Sequence, residues 1–124
     1  MTKTIQELTK TIHDTAKAKG WWEKPRESGT IHMLIVSEIA EATEEARKGT
    51  PPVYQIGSHQ AIVTPDSLNW GQALKPEGEL TELADAVIRI MDYCGHKGWD
   101  LQKAIEMKMA YNDTRSHRHG GKAF

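Results

Sequence analysis

A single cysteine, Cys94, occurs in the 124 residues, so no disulfide can close within the chain. It lies in an apolar-periodic stretch, and a reducing cytoplasm is the expected compartment. No run approaches the roughly 20 apolar residues of a membrane span, and the opening MTKTIQELTK lacks the apolar centre of a signal peptide. Neither secretion nor a membrane partner is expected. Charge of one sign is also missing: 16 Lys and Arg stand against 17 Asp and Glu, a net charge of −1. That balance leaves no basic field for nucleic acid and no acidic tail. The phosphate-loop pattern GxxxxGK[ST] is absent, so the GGK near the C-terminus is not a Walker motif. No histidine follows a glutamate at the Glu-x-x-His spacing, which removes the ligand set of a carboxylate-bridged di-iron bundle. There is no internal repeat and no low-complexity segment.

What is present fits one domain, residues 1–124, with 38% hydrophobic and 27% charged residues. Four helices are expected. The first covers 5–19, opened by a Thr4/Glu7 capping box, with Ile5, Leu8, Ile12 and Ala16 on one face and Gly20 at its end. The linker WWEKPRESG follows. The second runs from about Thr30 to Lys48 and closes at Gly49 before Pro51 and Pro52. Residues 49–78 are rich in Gly and Pro and read as an inserted excursion, a long loop or one small hairpin built from VYQI and AIV. The third helix spans about 78–95, and the fourth starts at Asp100 as N-cap and reaches about Thr114. Residues 116–124 form a basic tail, expected to be mobile. The fold class expected is all-α, a four-helix, bundle-like arrangement with the excursion between helices 2 and 3.

The stretch SEIAEATEEA sets glutamates directly after the apolar run MLIV. At about 100° per residue, Ile31, Ile35, Ile39, Ala42 and Ala46 make one stripe of the second helix. Glu38, Glu41 and Glu45 fall on its flank, whereas Glu44 points nearly the opposite way. Met33 and Val36 make the first turns apolar almost all round, the pattern of a buried helix. A carboxylate entering such a region loses hydration worth several kcal/mol unless a cation replaces it. On the third helix, Leu80, Leu83, Val87, Ile90, Met91 and Cys94 form the apolar stripe, and Glu82, Asp85, Arg89 and Asp92 share another side. Glu82 and Asp85 repeat the i, i+3 spacing of Glu38 and Glu41. Two such pairs can place four hard oxygen donors around one cleft, a set that suits Mg²⁺ or Mn²⁺. Acidic pairs at this spacing are also common on plain helix surfaces, and Arg89 could neutralise Asp85 or Glu82 as an ordinary ion pair.

On the fourth helix Lys108, Asn112 and Arg115 line up with Leu101 and Ile105. Point charge, amide donor and guanidinium fork suit phosphate oxygens. A snorkelling lysine and an arginine complementing the helix dipole would look alike. The tail adds Lys122 among His117, Arg118 and His119, an arm able to close over phosphates or a plain disordered terminus. Of the adjacent Trp21 and Trp22, one is expected to pack and at most one to stack on a nucleobase, with Trp22 the candidate.

Three segments, SEIAEATEEARKG, KPEGELTELADAVIRIMD and KMAYNDTRSHRHGGK, together resemble the MazG-like all-α nucleoside triphosphate pyrophosphohydrolases. The family pattern of ExxE on one helix and ExxD on a later one is matched by Glu38 and Glu41, then Glu82 and Asp85. The resemblance implies that these four carboxylates hold Mg²⁺, with Glu38 or Glu41 also the base, and that Lys108, Asn112 and Arg115 bind the triphosphate. It implies hydrolysis between the α and β phosphates to a monophosphate and pyrophosphate. Ser37 stands where many members carry the first of two glutamates, which leaves the number of metal ions open. The 49–78 excursion lengthens the separation between the motifs. A rival reading is a non-catalytic helical module whose acidic face meets a basic partner. Short helices with site residues on core faces cover a cleft poorly, so a homodimer or homotetramer is expected.

Overall fold

The computed structural model describes residues 2–115. Lys122 and the expected basic tail therefore lie outside the described residues. Among those described, the chain is all-α apart from one two-stranded hairpin. Its helices are α1 (Ile5–Ala18), α2 (Ser28–Lys48), α3 (Glu79–Lys97) and α4 (Leu101–Asp113), with β1 (Gln55–Ile56) and β2 (Ile62–Val63) between α2 and α3. Among the described residues, no helix is long and apolar enough to cross a membrane. The chain groups into two compact units, residues up to 23 with those from 91 onward, and residues 24–90.

In the first unit, α1 begins at the expected capping box. Glu7 N donates to Thr4 Oγ1 at 3.1 Å, and Thr4 N donates to Glu7 Oε1 at 3.0 Å, so two otherwise orphaned amides are satisfied. The buried face of α1 centres on Thr9 and His13, while Leu8, an expected core residue, is 38% exposed. α1 packs on α4, where Gln6 N donates to Gln102 Oε1 at 3.2 Å. Asp100 caps α4 through Lys103 N at 3.0 Å. α3 does not stop near Gly95 as expected. A Cβ at Gly95 would lie 2.6 Å from the His13 Cβ, so this glycine permits close helix packing, and the left-handed residue that ends α3 is Gly98, φ +71°.

In the second unit, α2 starts two residues earlier than expected and ends at Gly49 in the left-handed conformation, φ 69°. Of its expected stripe, Ile31 and Ala42 are buried and Ile35 is half-buried, but Ile39 and Ala46 are exposed. Met33 and Val36, 62% and 53% exposed, correct the expectation that the N-terminal half of α2 is covered on all sides. The segment between α2 and α3 is tied down rather than loose. β1 and β2 pair antiparallel, Gln55 with Val63 and Ile56 with Ile62. The Gln55 side chain, 1% exposed, donates to Gly71 O and Leu74 O and accepts from Gly71 N, at 2.7–3.0 Å. Tyr54 and Glu77 exchange both backbone hydrogen bonds, and Leu80 N donates to Pro52 O at 3.0 Å. These bonds fix the first turn of α3.

Candidate metal centre

α2 and α3 each bring an i, i+3 carboxylate pair to the second unit. Glu38, Glu82 and Asp85 each offer an oxygen, and these atoms all lie within 4.8 Å of one another. Glu82 is 8% exposed, and Glu38 and Asp85 are half-buried. Glu41 is exposed and stands outside that group of three, yet its carboxyl is within hydrogen-bonding reach of Glu82. The expected set of four is thus a close trio with Glu41 at its solvent side.

The electrostatics follow from the crowding. Ionised carboxylates at such separations repel by about 3.5 kcal/mol or more per pair at an effective dielectric constant near 20. Burial first, then hydrogen bonding with Glu41 and Glu38, pushes the Glu82 carboxyl up to about 7, so Glu82 holds a proton against its neighbours. Asp85 is raised too, by burial and then by the charge of Glu38, while Arg89 and Lys75 pull it the other way. Hard, acidic oxygens are the donor type that a divalent cation of the Mg²⁺ or Mn²⁺ kind takes, and the charge of such an ion would offset the repulsion.

Arg89 reaches across from α3 to α2: its Nε donates to Glu38 Oε1 at 2.9 Å. The Glu38 side chain is 12% exposed and that of Arg89 32%. Neutralisation by Arg89 was legible as an alternative for Asp85 or Glu82 on its own helix; the hydrogen-bonded partner is instead the glutamate of the other helix.

Other acidic residues are employed elsewhere. Glu44 is exposed, as its helical phase requires. Glu45, on the same flank as Glu38 and Glu41, is buried and accepts from Tyr54 Oη at 2.6 Å and from Thr50 Oγ1 at 3.2 Å. It is an anchor for the segment after α2. Nothing in the residue pattern of α2 separates Glu45 from its neighbours, because the partner lies on an irregular segment.

Asp92, on the α3 side shared with Glu82 and Asp85, belongs to the first unit. His13 Nδ1 lies 2.8 Å from Asp92 Oδ1, and Trp22 Nε1 donates to the same oxygen at 2.9 Å. The Trp22 ring stacks on His96 with centroids 3.8 Å apart and planes 8° apart. One face of this candidate base-stacking residue is therefore covered by an imidazole. Lys108 and Asn112 are exposed on α4, and Arg115 follows its last helical turn. Lys108 Nζ and Arg115 Cζ lie 5.2 and 5.7 Å from the Tyr111 ring centroid, a pair of cation–π contacts that gathers positive charge on one aromatic ring. A cleft of about 460 Å³ beside Lys10, His13 and Trp99, and one of about 530 Å³ beside Thr30, Met33 and Leu34, are lined by none of the four carboxylates.

No protein-family model, no curated protein and no solved structure matches the chain.

Proposed function

We propose that the chain is a Mg²⁺-dependent nucleoside triphosphate pyrophosphohydrolase of the MazG-like kind, with Mn²⁺ a substitute metal. The observation that carries this reading is the convergence of Glu38, Glu82 and Asp85 from two helices, their oxygens within 4.8 Å of one another. Glu38, Glu82 and Asp85 would hold the cation, with Glu41 beside them. When bound, the metal supplies charge neutralisation at the phosphates and a lowered pKa for a coordinated water. Glu41, on the solvent side of Glu82, takes the proton of the attacking water, with Glu38 the other candidate for this role. The water oxygen bonds to the α-phosphorus, the bond from that phosphorus to the oxygen bridging to the β-phosphorus breaks, and pyrophosphate leaves. The family resemblance assigns Lys108, Asn112 and Arg115 to the triphosphate, where their donors and charges stabilise the leaving group. Aromatic stacking and basic charge, rather than the resemblance, make Trp22 and Lys122 further candidates for substrate contact, and the role proposed is clearing nucleotides from the cytoplasmic pool.

The reading extends to a homodimer or homotetramer. Met33 and Val36 on α2, and Leu80, Val87 and Ile88 on α3, are 45–62% exposed, apolar surface that a second copy would cover. The alternative of a non-catalytic module with an acidic face is disfavoured by the burial of Glu82 and by the Arg89–Glu38 pair, which withdraw two of the four carboxylates from a partner.

The deciding assay is pyrophosphate release from a panel of ordinary and modified triphosphates with Mg²⁺ or Mn²⁺. Glu38→Gln and Asp85→Asn are each expected to lower it by roughly 100-fold or more while helical circular dichroism persists. Full activity in both variants would sink the assignment.

A further inference from the structure

The carboxylate cluster carries a cation of its own. Arg89 Nε donates to Glu38 Oε1 at 2.9 Å, and the Arg89 charge is also felt at Asp85, so one guanidinium serves two of the three clustered residues. The Glu38 carboxylate is largely withdrawn from solvent. A buried carboxylate without a counter-charge costs several kcal/mol, and the guanidinium offsets that cost. A guanidinium is a permanent cation and yields a carboxylate only by moving away from it. A dication arriving among Glu38, Glu82 and Asp85 meets a positive charge already hydrogen-bonded to one of its ligands. The two cations repel, and Glu38 Oε1 is the oxygen that both require.

We infer that Arg89 is the resident counter-ion of the metal-free site and competes with the divalent cation for Glu38. It keeps the three carboxylates together when no metal is bound and swings off Glu38 when one binds. This inference rests on the metal-site reading above and adds a regulatory property to it: an internal cation holds metal affinity below what the carboxylates alone would give. Arg89 is a positioning residue, not a catalytic one, and its removal acts in opposite directions on the two states.

The test uses the full chain and two readouts other than turnover. Mn²⁺ binding is measured by electron paramagnetic resonance, and thermal midpoints are recorded in a chelator and in excess Mg²⁺, for wild type, Arg89→Gln, Arg89→Lys and the surface control Arg47→Gln. Arg89→Gln is expected to bind Mn²⁺ at least fivefold more tightly, to melt lower in chelator, and to show a larger Mg²⁺-induced rise. Arg89→Lys and Arg47→Gln stay near wild type. In wild type, the Arg89 Nε–H resonance is expected to lose its hydrogen-bonded shift as Mg²⁺ is added, a readout that does not depend on any variant folding. Unchanged or weaker Mn²⁺ binding in Arg89→Gln, or an unmoved Nε–H signal in the Mg²⁺-bound chain, overturns the competition while leaving the metal site in place. Failure of the wild type to bind either metal overturns both readings.

Discussion

Glu82 shows how one residue can link the candidate site to the stability of the fold. Its carboxyl keeps a proton up to a pH of about 7 in the folded chain, against an ordinary value of 4.5 once unfolded. The folded state therefore binds the extra proton between these two values. Its stabilising effect is complete below 4.5 and is lost as pH rises through 7. In chelator, the melting temperature is expected to fall between pH 5 and pH 8, with up to about 3 kcal/mol of stability at stake. Glu82→Gln, which keeps the shape without the titration, is expected to flatten that profile. A profile of the same slope in the variant would assign the dependence to other groups.

At the level of elements, the first turn of α3 depends on a backbone that only glycine adopts comfortably. Gly78 has φ +114°, and a Cβ there would meet Pro51 O at 2.7 Å. Glu82 N donates to Gly78 O at 3.0 Å, so the same residue that closes the connecting segment starts the turn carrying the site. Gly78→Ala is expected to cost about 2–3 kcal/mol, seen as a melting temperature lowered by roughly 8–12 °C. Gly49→Ala, left-handed but with open space around it, is expected to lose only about 1 kcal/mol. Equal losses at the two glycines would show that the close approach to Pro51 and Pro52 contributes nothing.

These elements also show what could be read from the residues alone. The caps at Thr4 and Asp100 were legible because the donor and acceptor are three residues apart in the chain. Gly95 was misleading, since a glycine that ends a helix and one that admits a neighbouring histidine are the same letter. Two carboxylate pairs stood out by spacing, and three of their members do gather. Glu41 at the margin, Glu45 with Tyr54, and Asp92 with His13 and Trp22 all depend on contacts between distant segments, which periodicity does not encode. The face of α1 rotated from Leu8 to Thr9 and His13 for the same reason: a polar pair took the centre because His13 has a partner in Asp92.

For the molecule as a whole, the apolar side chains left uncovered on α2 and α3 set the expected assembly. Light scattering on the eluted protein is expected to give a mass of two or four times 13.9 kDa. Val36→Glu, placing a charge on that surface, is expected to shift the population toward 13.9 kDa with its helicity retained. A wild-type chain that runs as a single 13.9 kDa species at micromolar concentration would remove the assembly from the proposal.

The stack of Trp22 on His96 has an optical consequence. An indole 3.8 Å from an imidazole, with its N–H bonded to Asp92, is positioned for contact quenching by that ring. Its emission is expected to be quenched relative to that of Trp21 and Trp99, which are about half-exposed. The first unit thus contains a chromophore whose brightness is expected to follow the packing of Trp22 on His96.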